Sequence, residues 1–271
     1  MVFSSPPQFA VIGDDPRQAA LAQSLRQKGF SVFTFSPSDL SETSSLKDVQ
    51  VVIFPLPLST ISCKEWLRCL SLCPPNALIF GGKIPPQYEH TADKLGFSVM
   101  DYMKNESTAI LNAVPTAEGA VQLALAETDF TLWESHCLVA GFGRCGKVLA
   151  LLLKNMGAHV TVAARNNSDL ALSKTLGLSG ILLRDLSSVL PQQEIIFNTI
   201  PVCVFNASVL SQVSPSCLMI DLASADGGID FAAAQKKKIN TIHALALPGK
   251  TAPVTAGKII CDSILQTLNL S

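Results

Sequence analysis

Apolar and polar positions alternate along this chain in blocks of two kinds. Short apolar runs, "FAVIG" at 9–13, "FSVFTF" at 30–35, "VQVVIFPLP" at 49–57, "ALIFGG" at 77–82 and "FSVMDY" at 97–102, are separated by polar or helix-like segments. Runs of this length and spacing predict strands joined by crossover helices, hence βαβ units around a parallel sheet. A second series follows at 136–141, 159–165, 180–183, 194–200, 217–223 and 241–247, with helical patterns between most of its members. Between the two series, Pro115 and a candidate cap at Thr116 open the stretch "AEGAVQLALAET", predicted helical to about Thr128. The tail at 251–268 puts Ile259, Ile260, Ile264, Leu265 and Leu268 on one helical face and is expected to pack back across the domain junction. The pattern predicts an α/β protein of two doubly wound parallel-sheet domains: residues 1–115, completed by the helix at 251–271, and residues 116–250.

Composition narrows the function classes. Apolar residues make up 48% of the 271 positions and charged ones 15%, a balance that suits sheets covered on both faces and a homo-oligomer with an apolar interface. The formal net charge is −1 and the densest basic run, Lys236, Lys237 and Lys238, reads as the solvated end of a helix, so no stripe suits a nucleic acid. Eight cysteines without a C-x-x-C pair, mostly in apolar runs, point to a reducing compartment. The amino terminus lacks the charged start of a signal peptide, and no apolar run approaches the roughly 18 residues of a membrane span, so a soluble cytoplasmic protein is expected.

Two strand-to-helix turns contain glycine, and they differ. After the first strand, "VIGDDPRQ" offers only Gly13, and Asp14 and Asp15 stand where an anion would otherwise meet the helix N-terminus. In the second, "VAGFGRCGKVLALLL", Gly141, Gly143 and Gly146 complete G-x-G-x-x-G between a strand and a helix. There the first glycine permits the tight turn, the second admits a pyrophosphate to the backbone, and the third lets helix and strand pack closely. The candidate cofactor-binding residues in this turn are Gly141, Phe142, Gly143, Arg144, Cys145 and Gly146, in a Rossmann-like domain. An acidic residue usually binds the ribose hydroxyls of NAD about 20 residues later. Here Arg165 stands there, followed by Asn166, Asn167 and Ser168, which suits a 2′-phosphate and predicts NADP, with NAD the alternative cofactor.

Strand ends at "FNTIP" and "IDLASADGGIDF" place Asn198, Thr199, Pro201, Ala223 and Ser224 to line the nicotinamide. The stretch "LPGKTAPVTAG" reads as a further glycine turn into a helix, where Gly249, Lys250, Thr251 and Thr255 would make a carboxylate site. Lys83 and Glu106 could supply opposing groups from the first domain. Lys250 and Glu106 are the candidate catalytic residues, and Lys83, Ser224, Gly249, Lys250, Thr251 and Thr255 the candidate substrate contacts. No metal-ligand spacing or G-x-S-x-G occurs, and His243, within an apolar run, reads as a core residue.

Taken together, "GFGRCG" with "VTVAARN", "FNTIP", "IDLAS" with "GGIDF", "NAVPTAEGA" at 112–120 and above all "LPGKTAPVTAGKII" resemble the family of dipicolinate synthase A subunits, in the same order along the whole chain. The resemblance implies NAD(P)-dependent oxidation of the dihydrodipicolinate precursor, a small dicarboxylate, to the pyridine dicarboxylate. It also implies a partner, the flavoprotein-like B subunit of dipicolinate synthase, and action in the mother-cell cytoplasm of a sporulating bacterium. Two alternatives stand beside it. A 2-hydroxy acid dehydrogenase would place an Arg after the strand that here reads "IDLAS", where Asp226, Gly227 and Gly228 follow instead. A non-catalytic nucleotide sensor would not need a separate domain with lysine-bearing glycine turns.

Overall fold

The computed structural model describes residues 3, 5–39, 46–224 and 226–270. The chain divides into two compact units, Met1–Asn112 with Ala252–Ser271, and Ala113–Thr251. All strand pairs in both are parallel.

The first unit contains β1 (Phe9–Ile12), α1 (Pro16–Gln27), β2 (Val32–Phe35), β3 (Val51–Ile53), α2 (Cys63–Leu72), β4 (Leu78–Gly81), α3 (Pro86–Lys94), β5 (Val99–Asp101) and α4 (Glu106–Leu111). Its sheet order is β2-β1-β3-β4-β5. Successive side chains of a strand point to opposite faces, and β1 divides accordingly. Ala10 and Ile12 pack with Trp66, Leu70 and Tyr88 of α2 and α3. Phe9 and Val11 join Leu21 and Leu25 of α1 and, from the far end of the chain, Ile260, Ile264, Leu265 and Leu268. The C-terminal helix is thus a layer of this unit. It lies against α1 at Gly257, where a Cβ would come within 2.7 Å of the Ala20 side chain and of the α1 backbone.

The second unit contains α5 (Ala113–Glu127), β6 (His136–Ala140), α6 (Arg144–Asn155), β7 (His159–Ala164), α7 (Asn167–Thr175), β8 (Ser179–Leu182), β9 (Ile195–Asn198), α8 (Ala207–Leu210), β10 (Leu218–Asp221), α9 (Phe231–Lys236), β11 (Asn240–His243) and α10 (Leu247–Thr251); α11 (Pro253–Thr267) then returns to the first unit. Its sheet order, β11-β10-β9-β6-β7-β8, is that of a doubly wound dinucleotide domain with two three-strand halves that diverge from β6 and β9. β9 and β10 are buried along their whole length, which explains their unbroken apolar runs.

Three expectations shift. The helix after the first sheet begins at Ala113, so Pro115 lies in its first turn and Thr116 does not cap it. Proline has no N–H for the Leu111 carbonyl and crowds it, which accounts for the break between α4 and α5 at Asn112. By length and hydropathy the stretch Glu106–Glu127 could cross a membrane. It is broken at Asn112, however, and Ala117, Ala120, Val121 and Ala124 sit in the core of the second unit. Finally, the run at 241–247 is strand only as far as His243; Ala246 adopts φ 58° and α10 begins at the next residue.

Candidate functional site

The turn between β6 and α6 is built by close approach. Gly141 has φ +97°, and a Cβ there would lie 2.3 Å from the Thr199 hydroxyl oxygen. A Cβ on Gly146 would lie 2.1 Å from the Gly141 carbonyl oxygen. Gly143 is different: it is the N-cap of α6, no side chain caps that helix, and the space around its absent Cβ is open. The first turn of α6 holds no acidic residue, and its N-cap makes no side-chain hydrogen bond, an arrangement that favours an anion.

The corresponding turn in the first unit is closed to anions by its own chain. The Asp15 side chain accepts from the Arg17 backbone N–H at 2.8 Å and pairs with the buried Arg17 guanidinium at 2.6 Å. Burial alone would raise the Asp15 carboxyl; the hydrogen bonds and charge of Arg17 outweigh it and hold the group below the usual carboxylate range.

A cavity of about 390 Å³ opens at the turn after β6. Gly141, Phe142 and Gly143 contribute one side, Arg165 and Asp169 another, and Leu183 with residues 199–202 the rest. It sits at the carboxyl ends of the strands, where the sheet order reverses, the position at which open α/β sheets bind ligands. A larger depression of about 490 Å³ lies at the opposite strand ends, beside Ser216, Leu218 and Asn240, and carries no glycine turn and no cation.

The structure brings Gly141, Phe142, Gly143, Arg165, Thr199 and Pro201 together around this cavity. Arg165 is exposed there, with no ion pair among the described residues. The Asn166 side chain is taken by the start of α7: its oxygen accepts from the Asp169 N–H and the Ser168 hydroxyl, and its amide donates to the Asp169 carboxylate. Arg144 and Cys145 occupy the first turn of α6, and burial pushes the Cys145 thiol up to about 11, so it stays protonated. Asn198 does not line the cavity. It is fully buried, donates to the Asp221 carboxylate and the Ile200 carbonyl, and accepts from the Ile200 N–H. Ala223 is buried, with its N–H on Asp221, and Ser224 is exposed. Asp221, which lies within "IDLAS" and is absent from the candidates above, is the residue that organises these strand ends. An aspartate closing a fully apolar strand was the available signal.

The expected glycine turn around Lys250 is instead the short helix α10. Gly249 is buried inside it, the left-handed residue is Ala246, and Lys250 is exposed in its last turn, at the end that favours a cation rather than an anion. The Thr251 hydroxyl is spent on the Leu247 carbonyl. Thr255 is exposed in the first turn of α11, whose N-terminus no side chain caps. Lys83 is exposed at φ 50°, and its backbone N–H is held by Asp101. Glu106 begins α4 and is exposed. Gly249, Lys250 and Thr251 belong to the second unit; Lys83, Glu106 and Thr255 belong to the first. His243 is half-buried, 3.3 Å from the Ala223 carbonyl oxygen and tilted against Phe231. No cluster of three metal-ligating side chains occurs among the described residues.

Known proteins share this fold. Residues 8–103 match the family model of the N-terminal domain of the dipicolinate synthase A subunit. Crystal structures of the dipicolinate synthase A subunit from Bacillus halodurans (26% identity, TM-score 0.86, 97% of both chains) and of its counterpart from Bacillus subtilis (28%, 0.84, 98% of this chain and 96% of that one) superpose over nearly the full length. A transhydrogenase from Sinorhizobium meliloti shares the fold at 15% identity, with a TM-score of 0.73 over 96% of this chain and 92% of that one. The dipicolinate synthase A subunit of Bacillus subtilis (strain 168) is 31% identical over 283 residues, covering 96% of this chain and 95% of that protein, and on this ground the chain belongs to the family of dipicolinate synthase A subunits.

Proposed function

We propose that the chain is an NADP-dependent oxidoreductase that converts the reduced ring of a dihydrodipicolinate precursor to the aromatic pyridine dicarboxylate. The observation that carries this reading is the uncapped N-terminus of α6 beside a turn so tight that Gly141 has no room for a side chain. A diphosphate placed there meets backbone N–H groups and the positive end of the helix. The cofactor supplies acceptance of a hydride from a ring carbon; the accompanying proton leaves to solvent, and aromaticity favours the products.

The chain binds and orients. Arg165, exposed at this cavity and without an ion pair among the described residues, offers its guanidinium to the 2′-phosphate. Asp169 lines the same cavity, and a carboxylate there suits the ribose hydroxyls of NAD, but its side chain is already engaged by the Asn166 amide. Lys250 is an exposed cation of the second unit suited to a carboxylate of the substrate, with the exposed Ser224 of the same unit as a further polar contact. A flavoprotein-like partner, a homo-oligomeric state and the mother-cell cytoplasm of a sporulating bacterium complete the reading, and the family's naming as one of two kinds of subunit supports the partner.

The test is to incubate the protein with NADP+ and freshly made precursor, with and without the flavoprotein-like partner, and follow the ultraviolet absorption of the pyridine. Formation of pyridine dependent on NADP+ and on this chain is expected. No change in rate when this chain is left out defeats the proposal. Lys250→Ala is expected to raise the KM for the precursor, and an unchanged KM removes Lys250 from the site.

A further inference from the structure

Asp221 ends β10 with its carboxylate wholly enclosed. A charge in that position persists only if donors surround it, and three do. One oxygen accepts from the Asn198 amide at 2.8 Å and from the Ala223 N–H at 3.0 Å; the other accepts from the Gly228 N–H at 2.6 Å. The two N–H groups belong to the two ends of the loop that follows the strand. Gly227 and Gly228 are fitted to the clamp without slack. Gly227 has φ +79° and a Cβ there would stand 2.5 Å from the Asp221 carboxylate; a Cβ on Gly228 would stand 2.3 Å from the Asn198 amide nitrogen and 2.4 Å from the Ile200 carbonyl oxygen.

In a sheet of this order the adenosine half of a dinucleotide lies over the strands on the β7 side of the glycine turn and the nicotinamide half over those on the β10 side. Arg165 and Leu183 belong to the first side, at the ends of β7 and β8, and residues 223–224 and 226–228, after β10, to the second. We infer that Asp221 is a positioning residue for hydride transfer: it pins Ala223 and Gly228, so that residues 223–224 and 226–228 form the wall against which the nicotinamide half is oriented. The inference rests on the dinucleotide reading above and adds to it a separation between the two halves of the site. Asp221 acts on the nicotinamide side, through the loop, while Arg165 and Leu183 of the adenosine side follow β7 and β8, strands that carry none of the clamp residues.

D221N isolates this role. The amide keeps an oxygen for Asn198 and Ala223 but turns an NH2 group towards the Gly228 N–H, so one end of the loop is released while the side chain keeps its volume. Binding of NADP+ and of 2′,5′-ADP, which has the adenosine half only, is measured for both proteins by calorimetry, with amide hydrogen exchange over 223–230. D221N is expected to bind 2′,5′-ADP within about twofold of wild type, to bind NADP+ about tenfold more weakly, and to exchange faster in the loop. G227A releases the same loop by collision with the carboxylate and carries the same expectation should D221N not fold. Equal losses for both ligands, or no loss for either, or unchanged exchange in the loop, overturn the clamp while leaving the dinucleotide reading intact. Wild-type protein that binds neither ligand overturns both.

Discussion

The Thr199 hydroxyl oxygen would stand 2.3 Å from a methyl group on Gly141, closer than any real contact, while donating its own hydrogen bond to the Ala140 carbonyl at 2.9 Å. The strand end of β9 thus presses on the glycine turn after β6. Gly141→Ala must move one of them and also strain a residue at φ +97°. We expect a loss of about 1–3 kcal/mol in stability and at least a tenfold loss of dinucleotide affinity, read by chemical denaturation and calorimetry. Full retention of both would show that the turn has slack.

Arg165 carries the discrimination between cofactors in the proposed function. Charge-assisted hydrogen bonds to a phosphate contribute roughly 1.5–3 kcal/mol, so Arg165→Ala is expected to weaken NADP+ by about ten- to a hundredfold and leave NAD+ nearly unchanged. Arg165→Asp should go further and favour NAD+. Equilibrium binding of the two dinucleotides to each variant measures the ratio; a ratio that does not move removes Arg165 from the site.

The Asp15–Arg17 pair gives the first unit an acid-sensitive component. The Asp15 carboxyl is more acidic folded than unfolded. Its contribution is therefore complete above the ordinary carboxylate value of about 4 and fades as pH falls through the folded-state value. Asp15→Asn leaves a buried guanidinium without its carboxylate and should cost about 3 kcal/mol at neutral pH. In thermal melts from pH 7 downwards, the gap between wild type and variant should narrow only below about pH 4. A gap that stays constant to the lowest pH would assign the loss to packing alone.

Gly257 brings α11 onto α1, with a Cβ position 2.7 Å from the Arg17 carbonyl oxygen and the Leu21 nitrogen. Backbone cannot yield as a flexible side chain can. Gly257→Ala should therefore separate the two helices and destabilise the first unit by about 1–3 kcal/mol. Dinucleotide binding by the second unit should stay within about twofold, since its residues lie elsewhere in the chain. A parallel loss of binding would show that the two units do not respond independently.

Much of this molecule was legible before any coordinates. Local rules wrote the parallel strands into the apolar runs, because a strand covered on both faces needs no polar side chains, and they wrote the tight turn into the spacing of Gly141, Gly143 and Gly146. Even the acidic cap of the first turn could be read from Asp15. Each of these depends on neighbours in the chain, and their physics survives without knowing what packs against them.

Tertiary structure decided what depends on distant partners. Whether Asn198 faces a ligand or the core turned on Asp221, 23 positions along the chain, whose enclosed charge claims its amide. Whether residues 247–251 form a turn or a helix turned on α5, where a Cβ on Gly119 would lie 2.9 Å from the Thr251 hydroxyl, so that only a glycine lets α10 settle there. The C-terminal helix likewise takes its place through an apolar face that fits α1, more than two hundred residues earlier. Side-chain hydrogen bonds and close contacts of this kind are set by which surfaces meet in space, and a linear pattern of apolar and polar residues does not encode that.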